Sequence, residues 1–298
     1  MCQSTAGAST TSNAYDAAGR ITNAGYGYDP LGRTSTVPTV DTGPGGAGPL
    51  TAEYRANDMV NSLSQDVAAS GGGTETRTAS YTLDPVGRIS VITFKTNGTE
   101  KKRLRYRYGD LGDSPSSIET SADAGANWST TKYAVAPGAG FAAEVTSGVA
   151  TFQIANLQGD IVATSGGAGL VDSYSETDEY GNALVAPAAQ RYGWLGTHQR
   201  SSDSVGGLTL MGVRLYNPTT GQFLSPDPID GGNVTSYTYP QDPINVMDTT
   251  GATSLGSCTY SRRGVGSEPT RRGGMCGPRY GSTRTLSKDS RRRLLDGP

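Results

Sequence analysis

This 298-residue chain contains few histidines and cysteines, the residues that most often bind metals or act as bases and nucleophiles. The chain contains one histidine, His198, and three cysteines, Cys2, Cys258 and Cys276. A single histidine excludes zinc sites built from several histidines and gives a serine–histidine mechanism one candidate base. The cysteines have no neighbours at metal-ligand spacing, so the sequence predicts no metal and no cofactor. Other side chains, such as carboxylates, would have to supply any chemistry.

Glycine and tyrosine dominate the segments that must position those side chains. There are 42 glycines and 16 tyrosines against 4 phenylalanines, and 34% of the residues are hydrophobic. This composition favours turns and half-exposed strands, so we expect an all-β fold. No apolar run approaches the roughly 18 residues of a membrane-spanning helix, and the N-terminus lacks the pattern of a signal peptide. We therefore expect neither a membrane span nor a secretion signal in this chain.

A short motif recurs along the first two thirds of the chain. YDAAGRI at 15–21 returns as YDPLGR at 28–33 and as YTLDPVGRI at 81–89. Weaker copies occupy 106–112, 156–161 and 178–182. In each unit a strand would lead into an aspartate turn, glycine would take a positive φ, and the next strand would follow. Isolated hairpins are marginally stable in water, so we expect the hairpins to stack edge to edge. Residues 38–49 and 70–73 are predicted as loops.

These repeats resemble the Rhs or YD-repeat polymorphic toxin family over about residues 15–250. In that family, sheets of hairpins spiral into a hollow shell. The resemblance therefore implies stacked antiparallel β-hairpins in a curved sheet or partial shell. The first residues already lie within a repeat and family shells are much longer, so we expect a C-terminal fragment of a longer protein.

A second region of resemblance lies between Tyr192 and Ala252. YGWLG at 192–196, the segment 206–229 and the segment 237–251 resemble the Rhs repeat-associated core, close to its actinobacterial form. The predicted domains are a repeat region at 1–190, a core with its junction at 191–252 and a basic variable tail at 253–298.

In the family this core closes one end of the shell and makes a single cut just beyond it. Two aspartates are implicated, and the match transfers them to Asp227 in SPDP and Asp248 in DTTG. The family's cut falls one residue after the glycine, which implies the Ala252–Thr253 bond. Many relatives have proline after the second aspartate, whereas this chain has Thr249, which could alter the turn.

Two neighbouring carboxylates could perform such a cut, because they share a proton and can act as base and acid. The alternative is that Asp227 and Asp248 start turns and do no more. Asp230 and Asp242 are other acidic candidates nearby. Arg214 could orient a carboxylate, or it could be a solvated strand residue.

The tail differs in charge from the rest of the chain. Residues 253–298 hold ten Lys or Arg and three Asp or Glu, a net charge of +7, whereas residues 1–252 carry −9. Arginine pairs among glycine and serine predict disorder. The tail could be a truncated toxin, a small basic effector with weak, non-specific nucleic-acid binding or a linker, and Cys258 and Cys276 could form one bridge.

The resemblance implies an encapsulating protein that delivers and autoproteolytically releases a C-terminal toxin in interbacterial competition. Its enzymatic activity would be at most a single-turnover aspartyl autoproteolysis. Its partners would be its own toxin segment, an immunity protein and secretion machinery. The family is secreted or on the cell surface, although a fragment without a signal peptide could be cytoplasmic. The alternatives are an extracellular or wall-associated adhesion protein that binds carbohydrate, or a non-functional gene fragment.

Overall fold

The computed structural model describes residues 12–137, 140–167, 169–185, 190–229, 235–252 and 255–256. The chain divides into two compact units after Ser257, and every described residue belongs to the first unit. The predicted disorder of the tail and the Cys258–Cys276 bridge lie outside the described residues. In the described part, the regular structure consists of β-strands and two short 3-10 turns, Thr39–Asp41 and Gly196–His198. The all-β prediction is confirmed.

Thirteen strands form one antiparallel sheet in which each strand pairs with its neighbour in sequence. Its members are β1 (Gly27–Tyr28), β2 (Thr34–Val37), β3 (Gly46–Tyr54), β4 (Val60–Ala68), β5 (Thr74–Leu83), β6 (Ile89–Thr96), β7 (Thr99–Arg107), β8 (Ser117–Ser121), β9 (Ser129–Ala136), β10 (Gly140–Thr146), β11 (Val149–Ala155), β12 (Ile161–Ser165) and β13 (Ser173–Tyr174). This order is the stack of consecutive hairpins that the repeats predict.

Five of the repeat turns share one set of hydrogen bonds. The side-chain oxygen of the turn aspartate, or of Asn156, accepts hydrogen bonds from the backbone N–H groups two and four residues further on. The glycine at the fourth position has a positive φ in all five turns, at positions 19, 32, 87, 159 and 181. The weaker copy at 106–112 differs, because Gly112 donates its N–H directly to Asp110 and lacks the positive φ.

The three strongest copies add a contact between successive units. Arg88, for example, donates to Asp84 at 2.8 Å and stacks over the ring of Tyr108 at 4.0 Å. The Tyr108 hydroxyl then donates to the carbonyl of Ile89 at 2.6 Å. The same contacts join Arg20 to Tyr28 and Arg33 to Tyr54. Each arginine thus binds the aspartate of its own turn by ion pairing and a tyrosine further along the chain by cation–π attraction.

The residues after β13 form shorter strands, and the region from 190 to 252 packs on the large sheet. A three-stranded sheet contains β16 (Thr209–Met211), β17 (Arg214–Asn217) and β18 (Gln222–Phe223); two-stranded pairs are formed by β14 (Glu176–Thr177) with β15 (Ala183–Val185) and by β19 (Val246–Met247) with β20 (Leu255–Gly256). Leu208, Leu215 and Leu224 are buried in the same cluster as Leu63 and Leu104 of the large sheet. One apolar core therefore fixes this region against the repeats.

Candidate functional site

Arg214 is the centre of a buried charged cluster at the end of the described chain. It begins strand β17, and its side chain is only 2% exposed. Its guanidinium also lies over the ring of Phe223, 3.7 Å from the centroid. Burial lowers the pKa of Arg214 below its ordinary value, although the nearby aspartates oppose this effect. The alternative of a solvated strand arginine does not describe this residue.

Asp227 and Asp248 meet at one nitrogen of this guanidinium. Nη2 of Arg214 lies 3.0 Å from Oδ2 of Asp227 and 3.0 Å from Oδ2 of Asp248. The two carboxylate oxygens are therefore no more than twice that distance apart. The side chain of Asp227 is 4% exposed and that of Asp248 is fully buried. Although 20 residues separate them in sequence, folding brings both aspartates to the same cation.

Asp248 also builds the turn that leads to the expected cleavage position. Its Oδ1 accepts hydrogen bonds from the backbone N–H groups of Thr250, Gly251 and Ala252, at 3.2, 2.8 and 3.3 Å. Arg214 donates from Nε to the carbonyl of Gly251. The side chain of Asp248 therefore holds residues 248–252 by turn bonds while its other oxygen binds Arg214.

Asp227 is held by a different part of the chain. Its backbone N–H donates to the carbonyl of Ser236 at 2.7 Å, and that carbonyl also accepts a hydrogen bond from Nη1 of Arg214 at 3.1 Å. Oδ1 of Asp227 accepts a hydrogen bond from the N–H of Ile229 at 2.9 Å. Both aspartates therefore start turns, as the simpler interpretation holds, and both also bind Arg214.

The other candidates lie elsewhere or outside the described residues. Asp242 is exposed and binds Asn245 at 2.8 and 3.0 Å. His198 ends a 3-10 turn, where burial lowers its pKa. Ala252 is described, but Thr253 and Asp230 are not. Among the residues that are described, no group of three His, Cys, Asp or Glu side chains could hold a metal ion, and no helix could cross a membrane.

Sequence reasoning identified both aspartates but did not predict that Arg214 binds them together. It also missed Gly212, whose close contact with Thr250 brings the β16–β17 turn against the 248–252 turn. The Gly212–Val213 pair between two short strands indicates a hairpin turn, but it does not indicate what packs on that turn.

Comparisons with known proteins give distant matches. No protein-family model matches the chain. It is similar to the tRNA3(Ser)-specific nuclease WapA of Bacillus spizizenii, with 26% identity over 235 residues that cover 70% of this chain and 10% of that protein. The chain thus spans about a tenth of the length of this relative.

Two solved structures match part of this chain with low TM-scores. They are the crystal structure of TcdB2-TccC3, at 14% identity and a TM-score of 0.35, and that of TcdB2-TccC3-Cdc42, at 14% and 0.37. Each match covers 76% of this chain and 17% of the other chain. The resemblance to the Rhs family, including its actinobacterial type, stays a prediction.

Proposed function

We propose that this chain is the junction part of a toxin-delivery protein and that it cuts itself once, between Ala252 and Thr253. The meeting of Asp227 and Asp248 on Arg214, directly beside the 248–252 turn, carries this proposal. The similarity to WapA, a nuclease by its name, supports a role in a toxin system. Encapsulation of the released segment is a further part of the proposal, implied by the family resemblance.

Asp227 is the better candidate for the base of such a reaction. Asp248 is already committed to its own turn, since its Oδ1 accepts hydrogen bonds from three N–H groups of that turn. Asp227 would take a proton from water as the water oxygen adds to the carbonyl carbon of Ala252. As the C–N bond breaks, the proton would pass from Asp227 to the nitrogen of Thr253, leaving a carboxylic acid at Ala252 and an amine, between which the second proton of the water then exchanges.

Arg214 and Asp248 would assist this step through charge and position. The guanidinium binds the carbonyl of Gly251, so its positive charge lies one peptide away from the oxygen that becomes negative. Asp248 fixes the turn and, together with Asp227, orients Arg214 through the same nitrogen, Nη2. Burial makes these interactions stronger than they would be in water.

The test is expression of the full chain followed by intact-mass spectrometry. We expect a fragment that starts at Thr253 and its disappearance in Asp227→Asn and Asp248→Asn. Asp242→Asn is the matched control, because Asp242 is an exposed turn aspartate of the same region. An uncut wild-type chain, or cutting that persists in both Asn variants, would contradict the proposal. Glycan binding by an uncut chain would instead favour the adhesion alternative.

A further inference from the structure

A cavity of about 210 Å³ opens beside the 248–252 turn. Thr250 and Ala252 form one part of its wall. The sheet and the β16–β17 hairpin supply most of the remainder, through Met59, Ile89, Tyr106, Tyr108, Leu210 and Val213. The residue before the proposed cut therefore borders a partly open pocket with mainly apolar walls.

The charged groups at the edge of this cavity already bind partners of opposite charge or carbonyl oxygens. Both Nη atoms of Arg200 contact the carboxylate of Asp113, at 2.6 and 2.9 Å. Nη1 of Arg88 donates to the carbonyls of Asp110 and Gly112, at 2.7 and 2.8 Å. A further charged side chain placed here would lose part of its hydration and would have to compete with these existing contacts for a partner.

The space greatly exceeds the needs of the alanine that borders it. Ala252 places only one side-chain carbon against this space. The scale for comparison is one water molecule, which is similar in size to a methyl group and takes up about 30 Å³ in the liquid. Several methyl or methylene groups would therefore fit between Ala252 and the opposite wall. Apolar atoms placed there would contact tyrosine and leucine side chains and lose part of their contact with water.

We infer that this cavity is a specificity pocket for the side chain at position 252 and that it accepts apolar side chains up to about the size of leucine. The inference rests on the proposed function, because it assigns the pocket to the residue that precedes the proposed cut. The pocket would hold that residue in register with Asp227 and Arg214. It would disfavour an acidic side chain at the same position.

The experiment compares Ala252→Leu with Ala252→Asp in the full chain. Cleavage is followed by intact mass over time, and the melting temperature is measured in an Asp227→Asn background that keeps the chain whole. We expect Ala252→Leu to be cut at least as fast as the wild type and to melt about 2–4 °C higher, as buried methyl groups would predict. Ala252→Asp should be cut about tenfold more slowly or worse.

Ala155→Leu is the matched control, because Ala155 is exposed on strand β11. A gain in melting temperature for Ala252→Leu alone supports the pocket, whereas an equal gain in Ala155→Leu overturns it. Loss of cleavage in Ala252→Leu with an unchanged or lower melting temperature also overturns it. If the wild type is not cut at all, the proposed function fails, while the melting comparison still decides whether the pocket accepts leucine.

Discussion

Gly212 lies so close to Thr250 that a Cβ atom on Gly212 would come within 2.1 Å of the Thr250 carbonyl oxygen. Gly212 has a φ of +57°, and the next N–H, that of Val213, donates to the same carbonyl at 3.0 Å. On the other side of the contact, a Cβ atom on Gly251 would lie 2.4 Å from the carbonyl oxygen of Met211. Two glycines thus allow the β16–β17 turn and the 248–252 turn to pack backbone against backbone.

Substitution of Gly212 by alanine should displace the 248–252 turn. The added methyl group collides with a backbone carbonyl, and the positive φ disfavours any side chain, so we expect a loss of about 1–3 kcal/mol. The loss is measured by urea unfolding of a chain that carries Gly212→Ala together with Asp227→Asn, which keeps it uncut. In a chain that carries Gly212→Ala alone, cleavage should also be slower than in the wild type. Gly193→Ala is the control, because a Cβ atom there meets nothing within 4 Å. Equal stability of both alanine variants would show that the contact is unimportant.

Removal of the Arg214 charge should be strongly destabilising. Arg214→Met leaves Asp227 and Asp248 buried without their shared cation, which costs about 3–5 kcal/mol in comparable sites. Arg77→Met is the control, because Arg77 pairs with Glu75 on the surface with 55% of its side chain exposed. We expect that change to cost less than about 1 kcal/mol. Similar unfolding midpoints for the two variants in urea would contradict the central role of Arg214.

The repeat turns should make stability depend on pH in acid. Burial raises the pKa of Asp84, but hydrogen bonds from the Arg88 backbone and side chain outweigh it, and the pKa is lowered overall. A lowered folded pKa adds stability that is fully present above the unfolded pKa and lost as pH falls through the folded value. Nuclear magnetic resonance should show Asp84 titrating at lower pH in the protein than in a peptide of residues 81–89. Identical titration in both would rule out this contribution.

Asp203 should be needed to hold the 190–229 segment on the large sheet. This buried aspartate forms an ion pair with Arg191 and accepts hydrogen bonds from Ser201 at 3.0 Å and Tyr106 at 3.3 Å. Asp203→Ala would leave the Arg191 cation buried and unpaired, at a cost of about 3–5 kcal/mol.

Limited proteolysis reports the consequence of that change. New cuts should appear within 190–229 in Asp203→Ala and be absent in Glu53→Ala, which removes an exposed carboxylate that binds Ser62. A proteolysis pattern identical to that of the wild type in both variants would argue against the anchoring role.

The repeat turns could be predicted from sequence because their determinants are local. Aspartate, glycine and arginine at fixed spacing define a turn whose hydrogen bonds span five residues, and the five related turns at 16, 29, 84, 156 and 178 share it. The predicted loop at 38–49 was partly wrong. Strand β3 already begins at Gly46 and includes Pro49. The pairing of β3 with β4 is interrupted between Gly46 and Leu50, the stretch that contains this proline. A proline without an N–H is tolerated where the ladder is broken.

The candidate site could be predicted less completely, because its geometry depends on contacts distant in sequence. The motifs around Asp227 and Asp248 identified which carboxylates to consider. Their shared binding to Arg214 requires three segments of chain to meet, and no spacing in the sequence encodes that meeting. The cavity beside Ala252 is likewise formed in part by residues of the large sheet that precede it by more than a hundred residues.

Pairing of each strand with its immediate neighbour in sequence has a consequence for the order of assembly during synthesis. Low sequence separation between partners favours rapid folding, so hairpins can join the growing sheet as each one leaves the ribosome. Arg214, in contrast, can meet Asp248 only after translation has passed the end of the repeats. The scaffold can therefore be in place before the charged cluster exists.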